Sequence, residues 1–455
     1  MNRIASRAMI VLVLVVALLS GTVFFVVEYA LESSDWVMTQ GSPHVYRDDR
    51  VGKGVVTDAN DILLLDTTDG KKFSKDTLVR KSYLHWVGDR EGNVQAGILS
   101  HYSKELVGYD TLSGTYRYGD AAGQMVLSLD ASVQTAALKA MGDRKGTVAV
   151  YNYKTGEIIC AISTPTFDPE SPPDVANDTT GAYEGVYVNR FLRSKYIPGS
   201  IFKIVTLAAA LECIPEIQNQ TFTCAGSIEL KGGNVTCEYA HGTQSLKDAF
   251  CNSCNCAFAQ ITLQVGKERM TRYVEQFGLT QSISFDGLST VSGNYSVDSA
   301  CEQEFAWSGI GQYTDQVNPC AYMQFMGAIA GGGVITQPYV VKEIQLAGRN
   351  TYTAQAGDSA RIMSVSTAKI LSEYMQNNVQ AKYGSDNFPG MTVCAKSGTG
   401  EVGGDKRPNA MFAGFVTDTD LPLAFVVCIE EGGYGAQTCI PVLSAVLSAC
   451  KELAH

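Results

Sequence analysis

The chain has 455 residues, of which 45% are hydrophobic, and a formal net charge of −11. That length can bury a substantial core. The acidic balance, with no basic stripe, excludes a nucleic-acid-binding surface and argues against a face that grips anionic lipid.

Residues 8–27 carry no charge, with Arg3 and Arg7 before them and Glu28 after. At about 1.5 Å per residue they span a hydrocarbon core of roughly 30 Å. An uncleaved transmembrane anchor is expected, because Leu19-Ser20-Gly21 is a weak cleavage site followed by more apolar sequence. The flanking arginines place residues 1–7 in the cytoplasm and the bulk of the chain outside the cell membrane. Residues 28–140 form a mixed segment. Polar turns at Asp69-Gly70-Lys71 and Asp89-Arg90-Glu91-Gly92 separate short β-prone runs such as Ile62-Leu63-Leu64-Leu65. A larger unit, 141–455, follows. It opens with two strands, 147–151 and 158–162, joined by the hairpin turn Lys154-Thr155-Gly156.

Pro198-Gly199-Ser200 is a turn before an apolar, Ala-rich run, 201–211, that reads as a buried helix. Ser200 then sits at a helix N-terminus, where unpaired N–H groups and the dipole favour a developing oxyanion. Lys203 lies one turn on along the same face, among Phe202, Ile204 and Val205. Desolvation there lowers a lysine pKa toward the range where it accepts a proton. Most Ser-x-x-Lys matches are instead a capping serine followed by a snorkelling lysine. Ser366-Thr367-Ala368-Lys369 and Ser448-Ala449-Cys450-Lys451 fit that description, the first at the start of a surface helix, the second in a C-terminal last turn.

Cys224 and Cys237 bracket a hairpin around Lys231-Gly232-Gly233 that brings their thiols close, as a disulfide, a metal pair or neighbours. Ser253-Cys254-Asn255 follows in a loop between two helical patterns. Ser253 can relay a proton and Asn255 can hold an amide, although such residues beside a helix start are often caps. Cys251 and Cys254 have a ligand spacing, but the second such pair expected of a structural zinc site is missing, so no metal or cofactor is expected. Ser385-Asp386-Asn387 is a closer literal match to Ser-Asp-Asn, in a loop marked by Gly and Pro that reads as a turn.

Residues 391–399 form a short β-prone run ending in Lys396-Ser397-Gly398-Thr399, and the glycine allows a close approach of backbone or ligand. Strands at 410–416 and 423–429 complete an antiparallel meander, so Lys396 and Thr399 line a strand bordering a cleft. Cys160, Cys394 and Cys428 lie within apolar strands as core thiols. Thirteen cysteines is an odd number and cannot all pair in one chain. So many free thiols on an exported protein hint at a reducing or anaerobic habitat.

Ser-x-x-Lys, Ser-x-Asn and Lys-Ser/Thr-Gly in this order are the signature of penicillin-binding proteins and serine β-lactamases. The chain resembles a class B, monofunctional penicillin-binding protein over roughly 146–435. The likeness includes Asn189-Arg190-Phe191, His241-Gly242-Thr243, Gly309-Ile310-Gly311-Gln312 and Phe412-Ala413-Gly414-Phe415. The resemblance implies an α/β fold of the β-lactamase/transpeptidase kind, an antiparallel sheet flanked by helices plus a helical subdomain carrying Ser253. It implies that residues 28–140 are a membrane-proximal pedestal, to which His85-Trp86-Val87-Gly88 and Gly108-Tyr109-Asp110 belong, and that 141–455 is the transpeptidase domain. It further implies peptidoglycan D,D-transpeptidation through an acyl-enzyme on Ser200, with Lys203 as base. Ser253 and Lys396 would shuttle protons, Asn255 would position the stem peptide, and Ser397, Gly398 and Thr399 would bind its terminus. β-Lactams would acylate Ser200, and a glycan polymerase of the SEDS type would be a membrane partner. D,D-Carboxypeptidase, class D-like β-lactamase and a non-catalytic scaffold or sensor are the alternatives. Two departures from the family pattern stand out, Lys-Ser-Gly for Lys-Thr-Gly and Gly311-Gln312-Tyr313 for Gly-Gln-Gly.

Overall fold

The strands that frame the site are those whose β-branched and aromatic residues can be buried on both faces. In spatial order they are Val393–Gly400, Asn409–Val416, Leu423–Ile429, Gly146–Asn152 and Ile158–Thr164, one antiparallel sheet throughout. A computed structural model describes residues 2–37, 54–68, 70–107, 109–110, 115–116, 122–355, 359–418 and 420–453. Residues 38–53, 69, 108, 111–114 and 117–121 of the expected pedestal, Asp69 and Gly108 among them, lie outside this set.

Side chains alternate across a strand, so Val148 and Val150 face one layer while Ala149 and Tyr151 face the other. The first layer is built by the helices Ala131–Met141 and Gly435–Leu453, through Val133, Ala137, Val442 and Val446. The second is led by the almost wholly buried helix Pro319–Ala330, whose Tyr322 and Phe325 are entirely buried. Behind it the helix Lys203–Cys213 runs through the middle of a helical region, packed by Asn255–Val265, Lys267–Gln276 and Val365–Asn378. Residues 203–210 are all buried, which is why an Ala-rich sequence is used there. The expected sheet flanked by helices, with a helical subdomain, is present.

A second sheet has six strands. Four come from the N-terminal segment (Gly54–Thr57, Leu63–Asp66, Lys72–Phe73 and Gly123–Leu127) and two, Val341–Leu346 and Arg349–Thr353, come from far along the chain. This sheet therefore joins residues on either side of position 140. The helix Thr77–Val87 adds polar ties to the catalytic half. Arg80 holds Asp168 by two hydrogen bonds of 2.7 and 2.6 Å, and the Trp86 indole donates to the Ala161 carbonyl at 2.9 Å. The Arg80 guanidinium keeps the Asp168 carboxyl below the usual carboxylate range. Its stabilisation is thus present above the unfolded pKa of about 3.9 and is lost as pH falls through the lower folded value. Asp168→Ala is expected to cost about 1–3 kcal/mol, seen as earlier unfolding of the chain in denaturant near neutral pH and as a smaller difference in acid.

The helix Asn2–Val37 stands apart from this core. Its stretch Ile4–Ser33 is long and apolar enough to cross a membrane, and its aliphatic and aromatic side chains from Met9 to Val27 are exposed.

Candidate active site

Ser200 lies in a single 3-10 turn, Gly199–Phe202, that runs straight into the helix Lys203–Cys213. Two constraints fix that turn. Gly199 has φ +53°, a left-handed conformation, and a Cβ there would lie 2.1 Å from the Thr399 carbonyl oxygen. The turn thus rests directly on the edge strand Val393–Gly400, and the Gly398 backbone makes the same close approach to Pro198. Gly199→Ala is expected to push the turn off the strand. A shift of this size at a reacting centre costs on the order of a hundredfold in rate, readable as slower acylation by a penicillin.

Lys203 is fully buried, and its Nζ lies 3.0 Å from Ser200 Oγ. The same ammonium nitrogen donates to the Ser253 carbonyl at 2.6 Å and to Asn255 Oδ1 at 2.7 Å, and lies 3.1 Å from Ser253 Oγ. Burial pulls the Lys203 pKa down to about 8. A neutral amine has two N–H groups and one lone pair. A carbonyl and an amide oxygen can only accept, so they take both N–H groups and leave the lone pair for a hydroxyl. Lys203 is thereby oriented to accept the Ser200 proton.

Ser253 is the hub. Its Oγ sits 3.0 Å from Lys396 Nζ as well as 3.1 Å from Lys203 Nζ, so one hydroxyl bridges two buried amines. Ser253 adopts φ +52°, an unfavourable conformation for a residue with a Cβ and a common mark of functional loops. Burial, and then repulsion from Lys203, drives the Lys396 pKa well below that of a free lysine. Asn255 begins the helix Asn255–Val265 and spans the gap, its Oδ1 on Lys203 and its Nδ2 on the Thr236 carbonyl at 2.8 Å. Its second Nδ2 hydrogen is left for a ligand.

A cleft of about 700 Å³ opens over this group, lined among others by Ser200, Ser253, Asn255, Gln312, Ser397 and Thr399. Trp307 and Tyr434 give it aromatic walls. All eight residues expected from the sequence (Ser200, Lys203, Ser253, Asn255, Lys396, Ser397, Gly398 and Thr399) lie at or directly beneath this cleft. The decoys lie elsewhere. Ser366 follows the cap residue Ser364 on the helix Val365–Asn378, Ser448 is inside the C-terminal helix, and Ser385–Asn387 is a 3-10 turn. Lys154-Thr155-Gly156 turns between two sheet strands as expected.

Three further residues contribute, and two of them, Tyr383 and Thr236, gave no signal in the sequence. Tyr383 is half-buried behind the strand, its hydroxyl 3.0 Å from Ser397 Oγ and accepting the Ser397 N–H at 3.0 Å. Gln312 donates to the Thr399 carbonyl at 3.3 Å, and Thr236 anchors Asn255. The Gly311-Gln312-Tyr313 departure has a simple outcome: Tyr313 adopts φ +69°, the left-handed conformation a glycine would take without cost.

With this arrangement in view, the chain was compared with known proteins. Residues 146–448 match the family described as penicillin binding protein transpeptidase domain. The chain belongs to the penicillin-binding protein transpeptidase family. It is 29% identical over 340 residues to the peptidoglycan D,D-transpeptidase PbpA of Mycolicibacterium smegmatis, covering 68% of each protein. It is 28% identical over 348 residues to the stage V sporulation protein D of Bacillus subtilis, covering 71% of this chain and 52% of that one. The D,D-transpeptidase domain of a peptidoglycan glycosyltransferase from Eggerthella lenta superposes with a TM-score of 0.75 at 25% identity, covering 88% of this chain and 98% of that one. Penicillin-binding protein A of M. tuberculosis, solved as a ceftriaxone acyl-enzyme, shares the fold with a TM-score of 0.74 at 24% identity, covering 87% and 98%. In this penicillin-binding protein the signature lysines, serines and asparagine form one hydrogen-bonded group beneath the cleft.

Proposed function

We propose that this chain is a serine-type peptidoglycan D,D-transpeptidase, with Ser200 as nucleophile and Lys203 as its base. One observation carries the reading: the Lys203 amine has both N–H directions occupied by obligate acceptors and its remaining direction toward hydroxyls, with Ser200 Oγ at 3.0 Å. Ser200 Oγ attacks the penultimate D-Ala carbonyl carbon of a stem peptide and its proton passes to Lys203. The N–H groups of Ser200 and Thr399 receive the oxyanion. The C–N bond then breaks, and the departing D-Ala amine takes its proton through the Ser253 hydroxyl, which lies between Lys203 and Lys396. Ser397 and Thr399 bind the terminal carboxylate, Gly398 between them lets the strand lie against the Ser200 turn, and Asn255 holds the peptide amide. An amine from a neighbouring stem peptide attacks the ester, and its proton returns to Ser200 Oγ, closing a ping-pong cycle. A β-lactam acylates Ser200 by opening its ring, so no fragment leaves and the adduct persists.

The experiment is to supply a D-Ala-D-Ala stem peptide with and without an amine acceptor and to quantify D-Ala and cross-linked product. Amidated product matching D-Ala release is expected. Release with hydrolysis alone would transfer the assignment to a D,D-carboxypeptidase, and rapid turnover of bound penicillin would transfer it to a β-lactamase. Binding of penicillin without acylation would leave a scaffold or sensor.

The exposed apolar helix supports placing 8–27 in the bilayer, 1–7 in the cytoplasm, 28–140 as a pedestal and the catalytic domain, 141–455, outside. A transpeptidase so anchored works beside a membrane-embedded glycan polymerase, and a SEDS-type enzyme is the proposed partner. Protease digestion of intact spheroplasts is expected to remove the catalytic domain; full protection would reverse the orientation.

A further inference from the structure

Four side chains contributed by three separate loops converge just outside the catalytic group. Cys224 ends the strand Thr221–Cys224 and pairs with Gly242, the residue after His241. Cys237 follows the strand Gly233–Thr236, and Cys254 is the residue between Ser253 and Asn255. Their three Sγ atoms and one His241 ring nitrogen all lie within 4.8 Å of one another. Zn–S bonds near 2.3 Å and Zn–N bonds near 2.0–2.1 Å in a tetrahedron require ligand-to-ligand edges of roughly 3.5–3.8 Å. The Cys237 and Cys254 sulfurs are 3.8 Å apart, and the Cys224 sulfur is 3.4 Å from His241 Nδ1.

We propose that Cys224, Cys237, His241 and Cys254 bind a structural zinc ion that fixes the Ser253–Asn255 loop against the hairpin beside it. Three thiolates and an imidazole are the ligand set that selects zinc over harder cations, and four protein ligands close the site to water. The outer contacts are those of a thiolate site. The Asn255 N–H donates to Cys237 Sγ at 3.0 Å, and the Ala257 N–H donates to Cys254 Sγ at 3.4 Å. Cys254 also caps the helix Asn255–Val265, whose N-terminal dipole favours a negative sulfur. The nearby Cys256 sulfur points instead to the Val235 carbonyl and is outside the set.

The site matters to chemistry because of where Cys254 sits. Its two chain neighbours supply Lys203 with the Ser253 carbonyl, the Ser253 hydroxyl and Asn255 Oδ1. A metal bond at the middle residue holds both neighbours, and with them the strained Ser253 backbone, without touching substrate. Cys224, Cys237, His241 and Cys254 are therefore positioning residues. Binding releases the ligand protons, so zinc affinity falls in acid.

The test uses the full chain purified in detergent under reducing conditions and loaded with zinc alone. Elemental analysis is expected to find about one zinc per chain, and cobalt in its place is expected to show thiolate charge-transfer and tetrahedral ligand-field absorption. Cys224→Ser and His241→Ala are expected to lose the metal, whereas Cys256→Ser and Cys213→Ser retain it. His241→Cys, which keeps a four-ligand set, is expected to restore it. The metal readout is independent of the acylation function; the second readout rests on it. Loss of zinc is expected to slow penicillin acylation about ten- to a hundredfold, with restoration in His241→Cys. Should a variant fail to fold, the cobalt spectrum of the wild-type chain decides alone. Absence of stoichiometric zinc and of the thiolate–cobalt band from folded wild type would overturn the site. So would retention of metal in Cys224→Ser and His241→Ala, or a Cys237–Cys254 disulfide found by peptide mapping under the same conditions.

Discussion

Ser200→Ala is expected to abolish covalent labelling of the chain by a fluorescent penicillin while leaving the fold intact. Among the described residues Ser200 is the one hydroxyl that combines the 3-10 turn at a helix start, a lysine nitrogen at 3.0 Å and a place in the cleft wall. Ser253 also contacts Lys203, yet it contacts Lys396 as well and its backbone carbonyl is tied to Lys203, which suits a relay rather than an attacking group. Removing the nucleophile of a covalent mechanism leaves no bond to form, so the label falls by at least about a thousandfold. Stability should change little, because the alanine keeps the Cβ and frees a lysine that still donates to Ser253 and Asn255. Ser366→Ala and Ser448→Ala, at the other two Ser-x-x-Lys matches, are expected to label like wild type. A labelled Ser200→Ala chain would remove the acyl-enzyme assignment.

Much of this site could be read from residues alone because its parts are local in sequence. Ser200 and Lys203 share one helical turn, Ser253 and Asn255 one loop, and Lys396 to Thr399 one strand. Each carries a pattern that sequence periodicity exposes. Their meeting is non-local, and no spacing predicts the 3.0 Å between Lys396 and Ser253. Tyr383 escaped for the same reason: an isolated tyrosine on an irregular helical turn gives no signal that its hydroxyl will close on Ser397. The thiols are more instructive. The zinc rule of paired Cys-x-x-Cys motifs argued against a metal, whereas the converging set runs Cys-x12-Cys-x3-His-x12-Cys. Strand pairing between Cys224 and Gly242, not sequence proximity, brings those ligands together. The second sheet was hidden likewise, since the strand Val341–Leu346 pairs with Gly123–Leu127, more than two hundred positions earlier.

Lys203→Met is expected to reduce penicillin acylation by about a hundred- to ten-thousandfold, the range lost when a positioned base is removed. Methionine fills similar apolar volume beside Phe258, but it leaves the Ser253 carbonyl and Asn255 Oδ1 without their donor, costing about 1–3 kcal/mol of stability. The sharper test is the pH profile of the wild-type chain. Acceptance of the Ser200 proton requires a neutral amine. Burial sets the Lys203 pKa at about 8, so the neutral fraction, and with it the acylation rate, rises with pH through that value and levels above it. Burial, and then the neighbouring Lys203, push Lys396 well below the ordinary lysine range. A charge on Lys203 opposes one on Lys396 across the shared Ser253 hydroxyl. Initial acylation rates of a slow penicillin, followed from about pH 6 to pH 10, are expected to fall tenfold per unit on the acid side. The residual rate of Lys203→Met is expected to lack that limb. A wild-type profile flat across the range would take the base role from Lys203 and give it to the remaining buried amine, Lys396.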